Sequence, residues 1–151
     1  MKIDGSYLIN TEAFFEMRPW GQFLCFGQNI ECTAKVLILH PGEALSAQLH
    51  NYRDQLYFIP SHQKIVVEWS THPVQVDMND PEDIFDWWQN IDGKWQDMYD
   101  TSTDGGMYMF NRRVIHRVKN ITKSDQYIFE VAYGENDEED IIRVEDKYGR
   151  L

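Results

Sequence analysis

A chain of 151 residues, 42% hydrophobic and 14% aromatic, is long enough to bury a core without disulfide or metal staples and too apolar to stay disordered. Its 25 acidic residues against 14 basic ones leave a formal net charge of −11, which works against nucleic acid and anionic membrane as partners, since both demand a basic face. No run approaches the length of a membrane span, and the opening MKIDGSYLIN lacks the apolar centre of a signal peptide, so a cytoplasmic location is expected.

In chain order, residues 10–17, NTEAFFEM, read as a short helix capped by Asn10 or Thr11 and ended by Pro19. Arg18-Pro-Trp-Gly21 leads into QFLCF and, past a turn, ECTAKVLIL, a strand rich in branched residues. A hairpin turn at Gln28 and Asn29 would set Cys25 opposite Cys32. A disulfide is then conceivable, but packed thiols are expected in a cytoplasmic chain. Lys35 interrupts the apolar strand. It reads either as a lysine snorkelling at a sheet edge or as a group facing a substrate.

Pro41-Gly42 opens the stretch PGEALSAQLHNYRDQLY, which places Gln48, His50, Arg53 and Gln55 close together. Alternate strand residues share a face, so Gln48 and His50 point one way and Leu49 the other. The same rule turns Asp54 away from Gln55. Nitrogen and oxygen donors on one wall can hold a metal or a polar ligand when another strand supplies the rest. His116, in VIHRVKN, is the candidate. The spacing puts Gln48, His50 and Gln55 on one hairpin and His116 on an opposing strand.

Strands are expected at 55–59 and 64–69, with a turn at Pro60-Ser61. Between Thr71 and Gly106 the pattern loosens into acidic clusters, tryptophans and turn formers. Within it, PEDIFDWWQN has Asp80 as a cap and Ile84, Trp87 and Trp88 on one helical face. That face either packs on the rest of the molecule or serves as a lid, a sugar-binding wall or a subunit contact. Met107–Phe110, Val114–Val118 and Tyr127–Tyr133 read as further strands, followed by the tail EDIIRVEDKYGRL. There is no repeat and no linker, so residues 1–151 are expected to form one all-β sandwich or barrel, with helix confined to the periphery.

The two ligand-bearing stretches resemble the split motifs of the cupin superfamily. Arg18-Pro-Trp-Gly21, Lys35 ahead of Pro41-Gly42, Leu45-Ser46-Ala47-Gln48 with His50 and Arg53, His116-Arg-Val-Lys-Asn120, Glu130-Val131 with Gly134, and Glu138-Glu-Asp-Ile-Ile-Arg143 with Asp146-Lys-Tyr-Gly-Arg150 together resemble the type II mannose-6-phosphate isomerases. That module is also fused to mannose-1-phosphate guanylyltransferases. The resemblance implies a double-stranded β-helix of jelly-roll topology, a homodimer, and an aldose–ketose isomerase acting on mannose 6-phosphate and fructose 6-phosphate. It further implies a divalent metal, zinc or similar, at Gln48, His50, Gln55 and His116, with Lys35, Arg53 and Glu130 catalytic and Ser46, Arg117 and Arg143 holding the sugar phosphate. Such chemistry moves a proton between neighbouring carbons and builds charge on an enediolate oxygen, which explains the carboxylate and the cations. The alternatives are a metal-poor cupin that only binds a sugar or sugar phosphate, and another cupin sugar epimerase or ketoisomerase.

This chain departs from the family pattern at Gln55, where the family has glutamate, and at Tyr57, where it has tryptophan. Asn111 and Arg113 replace the usual proline and glycine. Gln55 matters most, because an amide in place of a carboxylate leaves the ligand set without an anion and weakens its attraction for a dication.

Overall fold

A computed structural model describes residues 14–28, 32–70, 72–90, 96–100, 105–135 and 139–150. The strands in chain order are β1 (Phe14–Arg18), β2 (Gly21–Gln28), β3 (Cys32–Leu39), β4 (Ala47–Leu49), β5 (Arg53–Ile59), β6 (Ile65–Trp69), β7 (Gln96–Asp100), β8 (Gly106–Phe110), β9 (His116–Asn120), β10 (Gln126–Gly134) and β11 (Ile142–Glu145). One helix, α1 (Pro81–Asn90), lies between β6 and β7. The strands form two antiparallel sheets, ordered β1-β2-β3-β10-β5-β8 and β11-β4-β9-β6-β7. Chain neighbours such as β4 and β5 fall in different sheets, which is the jelly-roll arrangement.

The inward residues of both sheets make the core. Phe23, Leu37, Tyr57, Ile65, Val118 and Ile128 meet in one buried cluster, and the alternation is clean on β3, where Thr33, Lys35, Leu37 and Leu39 are buried and the residues between them are not. A second cluster lies outside the five-stranded sheet. There Ile84 and Trp88 of α1 pack on Leu49, Ile115 and Val144.

The helix starts where the Asp80 carboxylate accepts the Glu82 amide at 2.9 Å, as an N-cap does. Trp88 is fully buried and its indole N–H donates to Glu145 Oε1 at 3.0 Å, so this face packs on the sheet. Trp87 is half-buried at the margin of the same cluster.

Four expectations need correction. Residues 14–17 are strand, not helix, because Phe15 and Leu24, and Met17 and Gln22, pair across an antiparallel ladder; residues 10–13 lie outside the described residues. Cys25 does not face Cys32. Gln28 pairs with Thr33 instead of forming the turn, so that, past a bulge between Cys25 and Gly27, Cys25 lies opposite Lys35; as expected, both cysteines are thiols. Lys35 is not at an edge, since β3 runs between β2 and β10, and its side chain is buried. Gln48 and Gln55 do not share a hairpin: β4 carries Gln48 in one sheet and β5 carries Gln55 in the other.

Two backbone positions explain local sequence. At Gly21, φ is 147° and an added Cβ would stand 1.9 Å from the Ile38 carbonyl oxygen, so the strand crossing at Arg18-Pro-Trp-Gly21 requires glycine. At Arg113, φ is 68°, a left-handed conformation held by an arginine where the family pattern has glycine.

Candidate functional site

Alternation along the strands decides which side chains enter the space between the sheets. On the six-stranded sheet, Lys35, Glu130, Tyr57 and Tyr108 stand side by side on β3, β10, β5 and β8, all on the inner face. Arg53 and Gln55 lie on that face of β5, and both are buried. On the five-stranded sheet, Arg143, Gln48, His116 and Trp69 form the facing row. The crossing between β4 and β5 carries His50.

The rows enclose a cavity of about 140 Å³ lined by polar and cationic groups. Arg18, Lys35, Arg53, Arg143 and Arg150 point positive charge into it, with Glu130 as the lining carboxylate and Ser46, Gln48 and Gln55 as neutral polar groups. Trp20 and Phe23 form an apolar side, with Lys35 Nζ 4.7 Å and Arg18 Cζ 5.6 Å from the centre of the Phe23 ring. Arg143 feels its neighbours: burial lowers its pKa first, and repulsion from Arg150 and Arg18 lowers it further. Its Nε is buried without a hydrogen-bond partner. Arg18 and Arg150 are each paired with a carboxylate, Glu16 at 2.6 Å and Asp146 at 2.7 Å, and the three guanidiniums together suit a bidentate anion such as phosphate.

The histidines sit behind the two glutamines. Their rings are 5.5 Å apart and both are buried. His50 Nδ1 donates to the Asp140 carbonyl, and His116 Nδ1 donates to the Val114 carbonyl at 2.9 Å. Because a carbonyl only accepts, each ring keeps its proton on Nδ1 and a lone pair on Nε2. Burial lowers the His116 pKa to about 4 and, with the nearby Arg53 and His116 charges, holds His50 well below the usual histidine range. Both rings are neutral at pH 7. Phe110 stacks on His116 at 4.5 Å and 4°.

Gln55 closes the arrangement. Its amide lies 2.6 Å from His116 Nε2 and 3.4 Å from the Tyr57 hydroxyl. A neutral imidazole offers Nε2 only as an acceptor, so the glutamine must meet it with its NH2 end, which half a turn of the amide provides. An ionised glutamate could not donate there. Gln48 is oriented separately, its Oε1 accepting from Ser46 Oγ at 2.8 Å.

The donors fit a divalent metal in kind. Carbonyl-anchored imidazoles are the usual outer support of metal-bound histidines, and His50 Nε2 is buried without a partner. They fit poorly in charge. Among the described residues no cluster of three or more His, Cys, Asp or Glu side chains could hold a metal, so His50, His116, Gln48 and Gln55 would bind a dication without an anion.

The structure thus brings together Lys35, Ser46, Gln48, His50, Arg53, Gln55, His116, Glu130 and Arg143. Arg117 is placed elsewhere. It follows His116 on β9 and projects to the outer face, where it pairs with Glu68 and, at 2.9 Å, with Glu145, while Lys119 joins Glu68 at 2.7 Å.

Three contributors escaped the sequence reading. Arg18 and Arg150 lie in motifs singled out for resemblance, but nothing local shows that they meet. Arg150 is aimed by the Asp146 carboxylate, which accepts its Nε at 2.9 Å and its terminal nitrogen at 2.7 Å. Asp140 positions His50 through its carbonyl, while its carboxylate accepts the Asn51 and Tyr52 amides at 2.9 Å each. Its sole signal was its place in the tail motif.

No protein-family model and no curated protein sequence matches this chain. Its structure is similar to the capsular polysaccharide assembling protein CapF from Staphylococcus aureus, at 15% identity and TM-score 0.64 over 93% of this chain. The chain spans about a third of that protein, 34% of its length. It is also similar to KdgF from Halomonas sp., at 13% identity and TM-score 0.55, covering 90% of this chain and 99% of that one. Among the described residues no helix is long and apolar enough to cross a membrane. Two antiparallel sheets in jelly-roll order, the inward polar row and these structural likenesses identify the fold as the all-β cupin double-stranded β-helix, with one short peripheral helix among the described residues.

Proposed function

We propose that the chain binds a phosphorylated sugar between its sheets and interconverts aldose and ketose forms, in the manner of a mannose-6-phosphate isomerase. The observation that carries this reading is the collection of Arg18, Lys35, Arg53, Arg143 and Arg150 around one cavity in a chain of net charge −11. Asp146 pairs with Arg150 at 2.7 Å and Glu16 with Arg18 at 2.6 Å, and Glu130 lines the cavity, yet the cations still outnumber these carboxylates, and that excess of positive charge in an acidic protein selects an anionic ligand. The likeness to a capsular polysaccharide assembling protein agrees with a carbohydrate as the rest of that ligand.

In this reading Arg18, Arg143 and Arg150 grip the phosphate, and Ser46 and Gln48 contact hydroxyls. Glu130 takes the proton from C2 of the open-chain aldose, and the released electron pair forms the C1–C2 double bond of an enediolate. The C1 carbonyl pair moves onto O1, where Lys35 and Arg53 stabilise the charge; a proton then passes from O2 to O1, and return of the first proton from Glu130 to C1 with formation of the C2=O bond gives the ketose. A divalent metal held by His50, His116, Gln48 and Gln55 would add Lewis-acid polarisation of the substrate oxygens.

A second reading, a sugar-phosphate-binding cupin without turnover, is favoured by the Gln55 amide meeting the His116 lone pair. One experiment separates them. Mannose 6-phosphate in deuterated water, with manganese, zinc or chelator, is followed by NMR for deuterium entry and for fructose 6-phosphate. Exchange is expected with the natural chain and lost in Glu130→Gln, which still binds the sugar phosphate. Arg143→Ala is expected to weaken binding about 10- to 100-fold, the worth of a charge-assisted contact. Binding without exchange would establish the second reading, and neither binding nor exchange would refute both.

A further inference from the structure

Tyr57 lies fully buried in the main core cluster with Leu37, Ile59 and Phe110. Its ring meets Phe110 edge-on at 5.4 Å and His116 at 5.8 Å, contacts that a phenylalanine would make as well. The hydroxyl needs a separate reason, because a phenol O–H taken out of water is costly unless it finds a hydrogen-bond partner.

The direction of each hydrogen bond around Tyr57 follows from one backbone carbonyl. Val114 accepts the Nδ1 proton of His116, which leaves a lone pair on His116 Nε2. Gln55 meets that lone pair with its NH2 end at 2.6 Å, and the same end of the amide lies 3.4 Å from the Tyr57 oxygen. Tyr57 therefore faces a donor there, and its own proton cannot go to Gln55. It goes to Glu130, the register neighbour of Tyr57 on β10, whose carboxylate is hydrogen-bonded to the Tyr57 hydroxyl. Burial and that negative charge both oppose ionisation of the phenol, so the O–H donates and Glu130 accepts. Glu130 is itself buried, with Lys35 as its neighbour on β3.

We propose that Tyr57 is the positioning residue of Glu130, fixing one carboxylate oxygen so that the other is aimed at the substrate carbon. This rests on the isomerase reading, in which Glu130 takes the C2 proton. A glutamate side chain has several rotatable bonds, and a base that must meet one C–H bond gains rate from each torsion that is held. Tyr57 acts only through Glu130: it is absent from the cavity lining, whereas Glu130 belongs to it, and it keeps its proton throughout. The donated bond has a second, opposing effect, since stabilising the anion makes it a weaker base. The two effects differ in sign. Removing the hydroxyl slows proton abstraction if position matters most, and speeds it if basicity does.

Tyr57→Phe keeps the ring and its contacts. With mannose 6-phosphate in deuterated water it is expected to slow deuterium entry about 10- to 100-fold, while calorimetric affinity for the sugar phosphate changes by less than about twofold. Exchange that is unchanged or faster would overturn the proposal. A second readout needs neither turnover nor that variant. Proton NMR of the natural chain should show a slowly exchanging, downfield hydroxyl resonance that moves upfield in Glu130→Gln, where an amide replaces the carboxylate. A natural chain without such a resonance, or a resonance indifferent to Glu130→Gln, would overturn the bond itself. Absence of exchange in the natural chain, with the resonance still moved by Glu130→Gln, would overturn the isomerase reading and leave Tyr57 a structural partner of Glu130.

Discussion

Gln55 shows how one atom can decide the chemistry of a site. As an amide it donates to the neutral His116 imidazole; as a carboxylate it would turn a repelled lone pair towards the ring unless a cation stood between them. Gln55→Glu is therefore expected to raise affinity for manganese or zinc by tenfold or more in calorimetric titration, and without metal to lower the melting temperature. Equal affinity in the two proteins would refute the charge argument. His116 supplies a second test, on metal-free protein. Folded, it takes its proton near pH 4; unfolded, near about 6.5. Between those values the unfolded chain holds more protons, so stability falls as pH drops through that window. The loss from His116 is on the order of 3 kcal/mol, and His50 adds to it in the same direction. Denaturant unfolding from pH 7 to pH 4 should show that slope, and His116→Gln should reduce it to the part that His50 contributes.

At the scale of elements, alternation was the most legible feature and also the one applied unevenly. The period of two separates Asp54 from Gln55 as expected, and the same period separates Arg117 from His116. Resemblance alone placed Arg117 with substrate, although its parity set it on the outer face. The β1 strand was hidden because NTEAFFEM satisfies helix capping and spacing locally, while the pairing that makes Phe14–Arg18 a strand comes from β2. Thiols at Cys25 and Cys32 are expected and are found; their facing was misplaced because Gln28, read as a turn residue, pairs with Thr33 in the ladder. The turn before β9 carries its own prediction. Arg113 holds φ at 68° while its amide donates to the His50 carbonyl at 2.8 Å and its carbonyl accepts from Val74 at 2.9 Å. Those bonds keep a conformation that L side chains resist, so Arg113→Gly should stabilise the chain by about 1 kcal/mol, measured by denaturant titration.

Across the whole molecule, the ligand set could be named from spacing because four donors lie in two short stretches. The cation cluster could not. Arg18 and Arg150 are separated by most of the chain and meet only because β1 and the tail end at the same mouth, a consequence of sheet order that no local pattern encodes. The six-stranded sheet then presents two surfaces that share every strand: on β10, Glu130 enters the cavity while Phe129 beside it points outward. These surfaces are interleaved residue by residue, so neither can change length alone. One residue inserted or deleted within β10 would exchange them, turning the carboxylate to the outside and the phenylalanine into the cavity. Descent with change at either surface is thus confined to substitution, and gain or loss of residues is left to the connections between strands.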